Sequence, residues 1–275
     1  MITSDFHMHS YYSIDSRAAV REMIEGSIAR GLKTICFTDH KDIDYPVEEG
    51  FSYQWDFDVA DYFREIKALQ EEYEDQIDIR IGVEIGIQPH LGAANHAYIQ
   101  TAAPFDFVIA SQHIIDGQDP YYRRLFQGRK DEDVYRQALQ EIQLSLDDII
   151  DFNDFDVLGH IDYVVRYGAE QEKAYSFEKY AKELEQILKK LIAHGKGIEI
   201  NTAGFKYDLP FAHPHPAILK KYKEWGGEII TIGSDAHCPE HIAYGFEKVC
   251  DILKEAGFQY YTEFKERKPY FCRLP

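Results

Sequence analysis

Asp5, His7 and His9 in the stretch DFHMH stand two residues apart. In a strand, residues i and i+2 share a face, so two imidazoles and a carboxylate are expected to lean the same way. Imidazole and carboxylate together form a donor set for divalent metals such as Zn, Fe, Mn or Co. More such groups follow along the chain. His40 ends FTDH, Glu84 lies in GVEIG, His113 ends SQH and His160 lies in LGH. Asp235 and His237 end GSDAH, and Asp15 falls just past the first apolar run. Asn201 ends EIN and is a poor metal ligand. The remaining histidines, His90, His96, His194, His213, His215 and His241, are expected at the surface or as helix caps. His213 and His215 of FAHPHP also follow a strand, which makes them candidates for the rim of a site.

The elements that must position these groups are readable as alternating patterns. Short apolar, often β-branched runs at 2–9, 34–40, 77–86, 105–113, 156–162, 197–203 and 228–237 predict strands. Helices are expected between them, near 18–30, 57–75, 91–101, 132–151, 215–225 and 241–256. The clearest is SFEKYAKELEQILKKLIAHG, where Ser176 can cap the start and Gly195 can end the helix. Seven strand–helix units in succession imply a parallel sheet with helices packed outside it. The solutions are an open doubly wound sheet or a closed barrel. No GxGxxG follows the first strand and no GxxxxGK[ST] occurs, so the nucleotide-binding forms of the open sheet lose support. Nothing divides the chain, and one domain over 1–275 is expected.

In parallel α/β sheets the active site lies beyond the carboxyl ends of the strands. His7, His9, His40, Glu84, His113, His160, Asp235 and His237 all fall at that edge. Any one histidine alone would more often be structural. As a cluster without partners, each desolvated group would cost on the order of 1–3 kcal/mol, which coordination removes. With Asp15 the set has nine members, too many for one ion. It suits two or three divalent ions around a bridging carboxylate, and Glu84 is central enough to be the bridge. Asp42 and Asp44 are nearby alternatives to Asp15. The loop 41–56 is acidic and aromatic, a candidate lid. Its Asp42, Asp44, Glu48 and Glu49 could draw a cationic substrate end. The tail YYTEFKERKPYFCRLP is expected to form a strand pair or an arm.

Composition narrows the function. The formal charge of −18 repels a nucleic-acid backbone, leaving a small phosphorylated substrate open. No apolar run reaches the length of a membrane span, and no basic-then-apolar leader opens the sequence. Cys36, Cys238, Cys250 and Cys272 form no CxxC pair, so reduced thiols and a cytoplasmic location are expected.

Taken in order, D-x-H-x-H, T-D-H, G-x-E, S-x-H, G-H-x-D and S-D-A-H resemble the PHP (polymerase and histidinol phosphatase) superfamily of metal-dependent phosphoesterases. The resemblance runs from Asp5 to His237. It implies a distorted seven-stranded (β/α) barrel with its active site at the C-terminal ends of the strands. It also implies a division of ligands among three ions. His7, His9, Glu84 and Asp235 would hold one; Glu84, His113 and His160 a second; Asp15, His40 and His237 a third. Asp15 departs from relatives that carry histidine there. Arg166 matches a phosphate-gripping position, and Lys206 stands where arginine is expected in close relatives. Apart from the resemblance, Asn201 is expected as a substrate contact, Asp235 or a water on the third ion as the proton donor to the leaving group, and Asp5, deeper on the same strand face, as a group orienting a ligand histidine. The stretches GHIDYVVRYG and EINTAGFKYDLPFAHPHP look most like the stand-alone histidinol-phosphate phosphatases. The implied reaction is hydrolysis of L-histidinol phosphate to L-histidinol and phosphate through a metal-activated hydroxide. The alternatives are another small phosphomonoester or nucleotide as substrate, an amidohydrolase-type enzyme, or a silent metal-binding module. The amidohydrolases that share H-x-H usually add a bridging lysine, and here no strand ends in one.

Overall fold

A computed structural model describes residues 1–46 and 56–275. Most of the expected lid, including Glu48 and Glu49, therefore lies outside the described residues. The chain opens with β1 (Ser4–Met8), α1 (Val20–Ala29), β2 (Thr34–Phe37) and the short β3 (His40–Lys41). It continues through α2 (Val59–Glu72), β4 (Asp78–Gly86), α3 (Gly92–Thr101), β5 (Phe107–Ser111) and α4 (Asp131–Asp148). Next come β6 (Val157–Leu158), α5 (Ala181–Ala193), β7 (Gly197–Asn201), α6 (Ala203–Lys206) and α7 (Pro216–Glu224). The last elements are β8 (Ile230–Gly233), α8 (Phe246–Glu255) and a hairpin of β9 (Tyr260–Lys265) and β10 (Lys268–Arg273).

Local chemistry explains the boundaries. Asp58 caps α2 by accepting from the Ala60 and Asp61 N–H groups, satisfying donors the first turn leaves open. Behind it Tyr62, Phe63, Ile66 and Leu69 recur at helical spacing and are buried. In α5 the buried row is Leu184, Ile187, Leu188 and Leu191, and Gly195 follows at φ 66°, a left-handed stop that glycine tolerates. Ser176 Oγ accepts from the Lys179 N–H in a short 3-10 turn, Glu178–Tyr180, whose cap is Phe177; the regular helix starts after it, at Ala181, without a side-chain cap. The expected terminal strand pair is present. Glu266 and Arg267 both take positive φ at its turn, as a tight two-residue hairpin requires.

Seven strands run parallel in the order β1-β2-β4-β5-β6-β7-β8, with β3 against β4. The first strand meets the segment after the last through a parallel Met8–Ala236 bridge. There the His9 N–H donates to the Ala236 carbonyl at 2.8 Å and the Asp235 N–H to the His7 carbonyl at 2.8 Å. The sheet thus nearly closes into the seven-stranded barrel that the sequence implies. Ile79, Ile81, Val83 and Ile85 of β4 pack into the outer core. Phe6 of β1 and Phe107 of β5 belong to strands that are not neighbours, yet their rings meet edge-on at 5.5 Å. They touch across the interior, where Phe264 of β9 stacks on Phe107. Aromatic rings fill one level of the barrel, and the polar cluster occupies the level reached by the strands' carboxyl ends. Among the described residues no helix is long and apolar enough to cross a membrane.

Candidate metal centre

The strand ends bring all nine expected ligands together. His7 and His9 leave β1, and their Nε2 atoms lie 3.1 and 3.5 Å from Glu84 Oε2. The same atoms stand 3.9 and 3.4 Å from Asp235 Oδ1. The other oxygen of Glu84, Oε1, faces His113 Nε2 at 3.2 Å and His160 Nε2 at 2.9 Å. One fully buried carboxylate from near the carboxyl end of β4 therefore faces two groups of candidate ligands. In the third group His237 Nε2 is 3.0 Å and His40 Nε2 3.8 Å from Asp15 Oδ2. His40 also reaches Glu84 through Nδ1 at 3.1 Å. Of the alternatives to Asp15, Asp42 accepts from His113 Nδ1 at 2.8 Å, and Asp44 pairs with His90 at the surface.

These residues fit metal ions. The Nε2 atoms of His7, His9 and His237 and Oε2 of Glu84 are buried without hydrogen-bond partners. Yet donor atoms of the first group sit 3.1–3.9 Å apart. Ligand atoms bound tetrahedrally at about 2.0–2.1 Å from zinc lie roughly 3.3 Å from each other. Several triads of donor atoms, each within 4.8 Å of one another, recur through the cluster. Left without an ion, such buried polar atoms would each destabilise the fold.

Electrostatics favour cations here. Burial opposes ionisation of Glu84, but His7, His113 and His40 overcome it and hold its carboxyl well below the usual range. Burial likewise opposes protonation of His40, yet Glu84 and Asp15 push its pKa up to about 9. His113 is raised against burial by Asp42 and Glu84. His9 moves the other way: burial, then His237 and His40, depress it. The cluster attracts positive charge and distributes it unevenly over its imidazoles.

A shell of carboxylates stands behind the ligands: Glu199 and Asp39, which the sequence did not single out, and Asp42, which it offered as a ligand or a loop charge. Glu199 of β7 accepts from His7 Nδ1 at 2.6 Å. Asp42 holds His113. Asp39 accepts from Ser13 Oγ, which lies 3.0 Å from His9 Nδ1. Carboxylates so placed fix the tautomer and orientation of ligand histidines. A period-two signal was present: Glu199 shares its strand parity with Asn201 in EIN, and Asp42 shares that of His40 in HKD.

Beyond the ligands opens a cavity of about 470 Å³. Asp15, His113, Asp235 and His237 line one side, with Arg166, Lys206, Tyr163 and Tyr207 also on its wall. The Arg166 guanidinium lies between two rings, 4.0 Å from the centre of Tyr163 and 4.1 Å from that of Tyr207. Its Nη2 donates to the Tyr167 hydroxyl at 2.7 Å, and its Nε has no partner. Lys206 Nζ donates to the Asp235 backbone carbonyl at 3.1 Å. Among the described residues neither cation is neutralised by a carboxylate ion pair.

The family model of the PHP domain matches residues 5–203. The chain belongs to the PHP domain family. It is 34% identical to a histidinol-phosphatase of Lactococcus lactis subsp. lactis, over 96% of this chain and 95% of that one. A probable histidinol-phosphatase of Clostridium acetobutylicum is 29% identical over 93% of this chain and 94% of its own. Among solved structures, the histidinol phosphate phosphatase of Lactococcus lactis, complexed with zinc, L-histidinol and phosphate, superposes with a TM-score of 0.86. That protein is 32% identical, with 98% of each chain covered.

Three expectations for this PHP-domain chain are corrected by its geometry. Asn201 is fully buried. Its amide donates to Glu199 Oε2 and Asp235 Oδ2 and its Oδ1 accepts from the Ala203 N–H, so no polar atom is left for a substrate. Asp5 orients no imidazole. The β1–β2 register shifts between Asp5 and Met8, and the Asp5 carboxylate accepts from the Ser234, Ala243 and His7 N–H groups. His213 is no rim residue. It is fully buried, with Nδ1 on Asp162 at 2.6 Å. His215 caps α7. His241 does reach the cavity, beside Cys238, a placement the sequence reading did not foresee.

Proposed function

We propose that this PHP-domain enzyme is a phosphoric monoester hydrolase that converts L-histidinol phosphate to L-histidinol and phosphate. The observation that carries the reading is a cluster of candidate metal ligands, with His40, His113, His160, Asp235 and His237 on the wall of a cavity that also holds Arg166 and Lys206, two cations without a carboxylate ion pair among the described residues. A phosphate dianion suits that wall, and the relatives' names and the Lactococcus complex support the substrate. The residues beyond 203 supply Asp235 and His237, which supports reading 1–275 as one catalytic domain. Free cysteines throughout support a reducing, cytoplasmic setting.

Divalent ions bound by these ligands would supply Lewis acidity and an activated water. Arg166 binds phosphoryl oxygens with donors that the tyrosine stack leaves unused. Lys206 adds a point charge without a bidentate fork, and both complement charge that grows on the oxygens during transfer. Asp235 lies against His9 on one side and the cavity on the other. His7, His9 and His237 hold it on the ionised side against the effect of burial, as a ligand of the first group requires. The departing alkoxide takes its proton from the cavity's water, passed on by Asp235 where its carboxylate borders the cavity. The buried shell of Glu199, Asp42 and Asp39 keeps the ligand imidazoles aimed inward.

The test is phosphate release from L-histidinol phosphate beside a panel of small phosphomonoesters and nucleotides. Activity should vanish with a chelator and return with Zn, Mn, Fe or Co. Full activity in metal-free protein would sink the mechanism, and preference for another ester would sink the substrate.

A further inference from the structure

We infer that Glu199 is a positioning residue that couples two ion sites by setting the tautomer of His7 and the path of the chain at His160. The inference rests on the metal centre above but not on the identity of the substrate. Glu199 is 1% exposed. Among the described residues its ion-pair partner is His7 alone, with no lysine or arginine to offset the cost of burying a carboxylate. Its two oxygens meet three donors instead. Oε1 accepts from His7 Nδ1 at 2.6 Å. Oε2 accepts from the His160 backbone N–H at 3.0 Å and from Asn201 Nδ2 at 3.2 Å. His7 belongs to the first ligand group and His160 to the second, so one side chain spans both.

Donor bookkeeping shows why this position requires a carboxylate. With Nδ1–H given to Glu199, the Nε2 lone pair of His7 is directed at the Glu84–Asp235 group, the state a metal ligand needs. Asn201 cannot turn over to relieve a conflict, because its Oδ1 already accepts from the Ala203 N–H at 3.0 Å. Glutamine has the same shape but one acceptor fewer. In one orientation its NH2 faces His7 and drives the proton onto Nε2, blocking the ligand atom. In the other its NH2 faces both the His160 N–H and the Asn201 amide. The fold also keeps room for Glu199: a Cβ on Gly233 would lie 2.2 Å from its Oε1 and 2.4 Å from His7 Cβ.

The experiment compares wild type, Glu199→Gln and Asp42→Asn by zinc competition with a chromophoric chelator, with bound metal counted by elemental analysis. Glu199→Gln should weaken zinc binding about 10–100-fold at two ions. Asp42→Asn, at a carboxylate that meets His113 and lies 3.5 Å from His40 Nδ1, should weaken the second and third groups and leave the first, which holds His7, at wild-type affinity. Wild-type affinity in Glu199→Gln would overturn the proposal. Because a variant can misfold, long-range proton–nitrogen NMR of zinc-loaded wild type reads the same claim directly. His7 should carry its proton on Nδ1 and the metal on Nε2; the opposite tautomer overturns the assignment. Wild type that binds zinc but leaves histidinol phosphate intact would sink the substrate reading and not this one. Wild type that binds no zinc would remove both.

Discussion

Replacing Arg166 with methionine tests the phosphate grip most sharply. Methionine approximates the length of the arginine stem and can lie between the Tyr163 and Tyr207 rings, so the fold should hold. What disappears is a guanidinium on the cavity wall with one hydrogen bond, from Nη2 to Tyr167, and a buried Nε without a partner. A bidentate contact to a phosphoryl group makes two charge-assisted bonds. At roughly 1.5–3 kcal/mol each, their loss is about 3–6 kcal/mol. At about 1.4 kcal/mol per decade, kcat/KM should fall roughly 10²–10⁴-fold. Arg166→Lys keeps the charge without the fork and should fall in between. The assay is steady-state phosphate release from L-histidinol phosphate, with inhibition by inorganic phosphate measured in parallel and melting temperature as the control. A methionine variant within threefold of wild type in kcat/KM would refute the placement of Arg166 at the phosphate.

Further outcomes follow from the same geometry. Stripping the metal should lower the melting temperature: saturation at 1,000 times Kd contributes about 4 kcal/mol, on the order of 10 °C for a chain this size; superimposable melting curves with chelator and with zinc would count against a native ion site. Gly233→Ala should displace Glu199 or His7, destabilising the protein by about 1–3 kcal/mol and reducing bound metal, as melting curves and elemental analysis would show. Tyr207→Leu removes one face of the arginine stack, a cation–π contact of about 0.5–2 kcal/mol, and should raise KM while Tyr207→Phe stays near wild type; equal KM values in both variants would remove the stack from substrate binding. Ser13→Ala cuts the link between Asp39 and His9 and should weaken zinc binding roughly tenfold, read by chelator competition.

The barrel was legible because its signals are local. An apolar run, a polar residue at its carboxyl end and an amphipathic helix recur with little ambiguity, and β4 ends at Gly86, where the pattern of 77–86 stops. The strand expected at 156–162 is only Val157–Leu158, because the chain leaves the ladder at Gly159 to carry His160 inward and Arg166 to the cavity. The nine candidate ligands were legible by their chemistry and, Asp15 aside, by their common position at strand ends. Position alone could not separate a residue that faces the cavity from one that supports it. Asn201 sits at a strand end like the ligands, but its amide is committed to Glu199 and Ala203. Glu199 was hidden for the converse reason, and Asp42 was legible as a possible ligand but not as the support of His113: a buried carboxylate without a cation looks unfavourable in sequence until the imidazole it holds is seen. Asp5 failed through a register shift of β1, which the period-two rule does not contain.

The Met8–Ala236 bridge sets an order of events during protein synthesis. His7 and His9 leave the ribosome more than two hundred residues ahead of Asp235 and His237. Until that last segment emerges, the first strand has only one lateral neighbour, β2, and an incomplete share of ligands. A growing chain can therefore collect histidines early but cannot close the first ion group. Completion of the first group coincides with the seam between first and last strands being sewn, so an ion held there would report that the whole barrel has been made.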